Sequence, residues 1–225
     1  MRFAPLPLCF FCAISLAAEE SIKSIDPDDG WKLHSNSHGV AIYERVRAGT
    51  SLKEFRAVGE IDAASSAVHG VIDDVENYTR FMPYTVECRL LKREGDALIT
   101  YQRLAPKIAA DRDYTLRITT KSWPVKAGVA FLNEWTPAND LGPPEKKGVV
   151  RVQRCEGSWL IEPVTANKCR ATYSVFSDTG GAIPSWLANY ASQTGIGKLF
   201  AAVRKQVTDP KYTKAESGGR RAEKD

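Results

Sequence analysis

Few residues in this chain stand in a pattern that could do covalent chemistry. Its only histidines are His34, His38 and His69. The first two flank a turn-like stretch and the third falls in a helical pattern, and no pair has metal-site or HExxH spacing. Ser158 sits in Gly157-Ser158-Trp159, not in the GxSxG elbow that exposes a nucleophile. Asp73-Asp74 and Glu19-Glu20 are adjacent, so their side chains diverge and cannot work as an acid/base pair. Gly180-Gly181 lacks the Gly, Lys and Ser/Thr that complete a phosphate loop. No CxxC or Cys/His cluster marks a metal. No catalytic residue, metal ligand or cofactor is therefore expected. The one sharp polar feature is Arg112-Asp113. Period-two alternation puts Arg112, Tyr114, Leu116 and Ile118 on one strand face, and Asp113, Thr115, Arg117 and Thr119 on the other. The apolar stripe should look into the fold, with Arg112 at its end. A charge there needs either a carboxylate partner or the polar group of a ligand.

The elements that must carry this stripe are mostly strands. After the hairpin Trp31–Ser35/Val40–Arg45 come a strand over Leu52–Ile61, a helix started by Asp62 as its cap and marked by Val68, Val71, Ile72 and Val75, and an aromatic link over Asn77–Pro83. Strands then run over Thr85–Lys92, Ala97–Leu104, Arg112–Trp123 and Val129–Trp135. A surface loop follows, then a long hairpin, Gly148–Glu162 with Lys168–Ser177. If its turn centres on Ala166-Asn167, Cys155 faces about Asp178 and Cys169 faces Val164, so these thiols do not pair. Two glycines lead to Pro184, suited to a first helical position, and to a helix reaching Val207 with apolar residues at helical spacing. About nine strands joined by short turns form a twisted antiparallel sheet. One long helix laid on it leaves a gap that apolar side chains would line.

The 225 residues suffice for one substantial core. A net charge of +4 makes no case for nucleic acid and permits weak attraction to anionic membranes. Met1-Arg2, the apolar run Phe3–Leu16 and the small residues ending at Ala17 read as a signal peptide over residues 1–17. Residues 18–30 form an arm, 31–207 the domain, and 208–225 a mixed-charge tail expected to be disordered. An exported, periplasmic or secreted protein is expected. Cys88, Cys155 and Cys169 then remain as buried, inert thiols.

Four stretches carry a resemblance: Val75-Glu76-Asn77-Tyr78-Thr79-Arg80-Phe81-Met82-Pro83, Ala110-Asp111-Arg112-Asp113-Tyr114, Gly157-Ser158-Trp159-Leu160-Ile161-Glu162-Pro163, and Gly180-Gly181 through Asn189. In this order and spacing they resemble the START domains, the lipid-transfer branch of the helix-grip proteins, over about Trp31–Val207. The resemblance implies an α+β helix-grip fold, a curved antiparallel sheet wrapped around a long C-terminal helix. It also implies lipid or sterol binding without chemistry. Tyr101, Arg112, Tyr114, Leu116, Trp135, Tyr173, Leu187 and Phe200 are the candidate cavity residues. A monomer with transient membrane contact is expected. The alternative is an enzyme of the polyketide cyclase/dehydratase type, which uses polar groups inside the same cavity.

Overall fold

The computed structural model describes residues 29–107, 109–178, 180 and 185–213, and the side chains of 185–192 stand outside that set. The chain divides into two units, Met1–Trp31 and Lys32–Asp225. The leader, the arm before Asp29, Ile108, Thr179, Gly181 to Pro184 and the chain after Thr213 lie outside the described residues.

The second unit is a ten-stranded sheet with helices packed on it. Strands β1 (Lys32–Ser37), β2 (Val40–Val46) and β3 (Lys53–Ile61) lead to α1 (Ser65–Asp73), a short 3-10 turn and α2 (Tyr78–Phe81). Next come β4 (Thr85–Glu94), β5 (Ala97–Leu104), β6 (Arg112–Val125), β7 (Gly128–Pro137), β8 (Val150–Arg151), β9 (Arg154–Thr165) and β10 (Lys168–Asp178). The long helix α3 (Ser185–Gln206) and a last turn α4 (Pro210–Thr213) close the fold. The spatial order is β1-β2-β3-β10-β9-β7-β6-β5-β4, antiparallel throughout, with the two residues of β8 added parallel to β6. The first three strands thus join the last ones at the centre, and α3 crosses their inner face. No helix of the described residues is long and apolar enough to cross a membrane.

The core explains this arrangement. Inward residues of β2, β3, β9 and β10 meet Val68, Val71 and Ile72 of α1 and Ile196, Phe200 and Val203 of α3. Phe200 is fully buried and packs on Trp159 at 5.3 Å. It can approach because position 59 is glycine: a Cβ there would stand 3.0 Å from the Phe200 ring and from the Gly39 carbonyl. Four residues on, Arg204 fixes the helix end by donating to the backbone carbonyls of His38, Gly39 and Glu60 at 2.6–3.1 Å.

Several sequence expectations shift. The α1 cap falls on Ala64, without a side-chain bond, and Asp62 lies out in solvent near Lys168. The strand expected from Gly148 is broken into β8 and β9. A bulge at Lys168/Cys169 moves the hairpin by one residue, so Cys155 faces Ser177 and Cys169 faces Pro163. The thiols stay free. The chain beyond Thr208, expected to lack structure, continues into α4, where buried Tyr212 donates to Asp74 at 2.6 Å and Lys211 adds a second bond there.

Candidate functional site

Between the sheet, α3 and the loops after α2 and β5 lies a cavity of about 510 Å³, within the ~300–1,000 Å³ typical of small-molecule sites. Its long wall is the β6 stripe Arg112, Tyr114, Leu116 and Ile118, all of them lining residues. Antiparallel partners extend this wall. Leu98, Thr100, Gln102 and Leu104 of β5 face those four in reverse order. Trp135 faces Ile118 from β7. Gly157 follows from β9, and its missing side chain matters: a Cβ there would sit 2.5 Å from the Trp135 ring. The indole can therefore lie across β9 and stack on Tyr173 of β10, with centroids 5.6 Å apart, while Tyr173 leans on Trp159 at 4.7 Å. Ile196 and Leu199 of α3 line the opposite side.

The polar groups of the cavity fall into two kinds. Some satisfy one another: the Tyr114 hydroxyl donates to Gln102 Oε1 at 2.9 Å, and Gln102 Nε2 donates to Thr85 Oγ1 at 3.0 Å. Arg112 does not. It is 6% exposed and donates to the Ala110 carbonyl, with no carboxylate partner among the described residues. Burial is the cause that pulls its pKa below the usual guanidinium range, although arginine keeps its charge in proteins. The ion pair that could have used it is made one residue away, on the other face of the sheet. Asp113 accepts from Arg151 Nε at 2.7 Å and from the Tyr101 hydroxyl at 3.0 Å. Of the two sequence readings of Arg112, the carboxylate partner is thus absent among the described residues, and the cavity-facing charge remains.

Arg112, Tyr114, Leu116, Trp135 and Tyr173 are brought together on one wall. Two other candidates, Tyr101 and Phe200, are not. Tyr101 is on the opposite face of β5, pairing with Thr115, fully buried under Arg89 and Lys146. Phe200 belongs to the core around Gly59 and is not a lining residue. The Leu187 side chain lies outside the described residues. The sequence reading missed Gln102, Leu98 and Thr100, although the alternation of β5 against β6 could have found them, and Leu199 and Ile196, the α3 residues turned to the cavity.

Asp73 is the one carboxylate among the described lining residues, and no histidine joins it there. His69 stacks on Phe131 at 4.3 Å outside the cavity, and its pKa is lowered by burial against the opposing charge of Asp73. The cavity thiols are held protonated, Cys88 pushed up to about 12 and Cys155 to about 11 by burial. Among the described residues no group of His, Cys, Asp and Glu is placed to hold a metal ion.

Comparison with known proteins agrees with this geometry. The family described as "Polyketide cyclase / dehydrase and lipid transport" matches residues 61–204. An uncharacterised protein of Pseudomonas aeruginosa is 31% identical, over 72% of this chain and 78% of its own. The phosphatidylcholine transfer protein of Rattus norvegicus is 25% identical, over 74% of this chain and 78% of its own. The crystal structure of a STAR-related lipid transfer protein from Xanthomonas axonopodis superposes with a TM-score of 0.70 at 30% identity, covering 80% of this chain and 99% of that one.

Proposed function

This chain belongs to the polyketide cyclase/dehydrase and lipid transport family, in its START, helix-grip form, and from that premise we propose that it binds and carries a lipid or sterol-like amphiphile in the cavity. The observation that carries this reading is the pairing of an apolar, aromatic-walled space of about 510 Å³ with one buried, uncompensated guanidinium. An empty cavity would leave Arg112 desolvated and without a counter-charge, which is costly. A ligand whose anionic or strongly polar oxygen lies against Arg112 and whose apolar body lies along Leu116, Ile118 and Trp135 removes that cost. The transfer proteins among its relatives support a carrier. The self-satisfied Tyr114–Gln102–Thr85 chain and the neutral thiols offer no proton donor or acceptor poised for chemistry, which favours carriage over cyclisation.

Arg112→Leu tests the reading. The variant should fold with its thermal stability kept, since it removes an unpaired buried charge. It should lose at least about tenfold in affinity for lipids with an anionic head, the charge-assisted hydrogen bonds being worth ~1.5–3 kcal/mol. Native mass spectrometry of the purified protein with lipid extraction gives the bound species, and titration with vesicle-derived lipid gives the affinities. Unchanged affinity in a folded variant would remove Arg112 from the site.

We also propose that the carrier works outside the cytoplasm. The basic start, apolar run and small residues of Met1–Ala17 support export. The mature chain is expected to begin at Ala18 or Glu19, and intact mass of protein from the native envelope checks it. A chain keeping Met1–Ala17 contradicts it.

A further inference from the structure

Two residues other than glycine hold a positive φ among the described residues, His38 at 52° and Tyr84 at 61°. His38 sits in the turn between β1 and β2, and histidine is among the types enriched in that backbone region. Tyr84 needs another reason. It is the third residue of a turn over residues 82–85, closed by the Thr85 N–H donating to the Met82 carbonyl at 3.4 Å. Pro83 stands second and the positive φ falls third, the pattern of a type II turn. Glycine or asparagine normally fills that third place. A bulky ring there is strained, and such strain persists only where the surroundings hold it.

What holds Tyr84 is the rim of the cavity. Its backbone carbonyl accepts from the Ala105 N–H at 2.8 Å, which ties the loop after α2 to the end of β5. Its hydroxyl accepts from Lys198 Nζ of α3 at 2.7 Å. The residue itself lines the cavity, with Pro83 before it. One side chain thus joins the loop after α2 to the helix that closes the space. Three residues before Lys198, on the same side of α3, stands Gly195, another lining residue. No atom lies within 4 Å of where its Cβ would be. Neither close packing nor a positive φ calls for glycine there, although glycine weakens a helix interior. The open space beside it is what the glycine preserves. We propose that Tyr84 and Lys198 form the latch of the ligand's passage: lipid enters and leaves between the loop after α2 and α3, past Gly195, when their bond breaks and the strained turn relaxes. The bond is exposed, so water readily replaces it, and relief of the strain favours the open state. The inference rests on the carrier reading and adds to it the route of exchange.

The test times exchange of two fluorescent probes, cis-parinaric acid as a fatty acid and dehydroergosterol as a sterol. Stopped flow follows each between the full chain and vesicles of equal parts phosphatidylcholine and phosphatidylglycerol. Tyr84→Phe keeps the ring and deletes one oxygen. Lys198→Met keeps most of the stem and deletes the donor. Each should speed uptake and release alike by ~2–5-fold, the lower range of one net hydrogen bond because this one is exposed. Affinity should not change, since the latch is made with and without ligand and a gate alters rates. The double variant should be no faster than either single one, because both changes break the same bond. Gly195→Leu should slow both rates severalfold, in a helix made firmer by the change. Single variants whose effects add, or whose rates equal the parent's, overturn the latch and leave the carrier reading standing. Gly195→Leu protein that exchanges as fast as the parent, or that loses affinity instead of speed, overturns the route and the proposal with it. Uptake of neither probe by the parent overturns the carrier reading as well.

Discussion

Asp113→Ala should lower the stability of the folded chain by about 3–5 kcal/mol, the cost of breaking a buried ion pair by removing one partner. Asp113 is 1% exposed and accepts from Arg151 Nε at 2.7 Å, Arg151 Nη2 at 3.1 Å and the Tyr101 hydroxyl at 3.0 Å. Arg151, itself 6% exposed in its side chain, also donates to the Pro143 carbonyl and so ties the loop after β7 over the outer face of β5 and β6. Without the carboxylate, a guanidinium is left buried and the loop loses its anchor. Urea unfolding measures the loss. The pH dependence follows with a definite sign. Burial alone would raise the Asp113 pKa, but the hydrogen bonds from Arg151 and Tyr101 and the charges of Arg151 and Lys146 hold it below the ordinary carboxylate range. A depressed folded-state pKa stabilises above the unfolded value of ~3.9 and loses that contribution as pH falls through the folded value. The acid limb of the stability curve should therefore be shallower in Asp113→Ala than in the parent. An identical acid limb would mean that the pair contributes nothing. Arg112, the next residue, points to the other face, and Arg112→Leu is expected to leave this stability in place.

That contrast was legible in the sequence only on one strand. Alternation from Arg112 to Ile118 separated the cavity face of β6 from its outer face, because one face is apolar and the other polar. The same rule does not decide the face of Tyr101. Its strand, Ala97–Leu104, has Leu98 and Ile99 on opposite faces, so composition alone does not tell inside from outside. Only the pairing of Tyr101 with Thr115 does. The outer face there is buried too, under the loop that Arg151 holds, and a loop's position is not written in a period. Phe200 failed for a related reason. The apolar face of α3 is wide enough to serve both the core and the cavity. Phe200 and Val203 serve the core alone, while Ile196 and Leu199 border both the core and the cavity, a division set by the close approach at Gly59. The hairpin register missed by one because a bulge, placed by no turn residue, intervenes at Lys168. The resemblance supplied the helix-grip fold as a whole, and strand order with β3 beside β10 is a long-range pairing that local patterns do not contain.

Leu116→Trp should abolish uptake of lipid while sparing the fold. Leu116 is 7% exposed at the middle of the β6 stripe, between Tyr114 and Ile118, and pairs with Thr100 on one side and Pro137 on the other. Its small cluster with Val152 and Cys155 borders the cavity and is separate from the main core around Phe55, Trp159 and Phe200. An indole at this position therefore has open space to enter, and the overpacking cost should stay at or below the ~1–3 kcal/mol seen when side chains are enlarged in filled cores. The same indole occupies the path between Arg112 and the Trp135–Tyr173 pair, where the apolar body of the ligand has to lie. The affinity for any chain-like amphiphile should fall by more than tenfold, and native mass spectra should show the protein without bound lipid. Leu116→Ala is the counterpart: it enlarges the space, should keep or broaden lipid binding, and should cost about 2–5 kcal/mol of stability as a cavity-forming change. The two variants separate packing from occupancy, since the one expected to lose lipid is the more stable of the pair. A folded Leu116→Trp protein that takes up lipid as well as the parent would show that the ligand does not run along β6, and the placement of its head at Arg112 would fall with it.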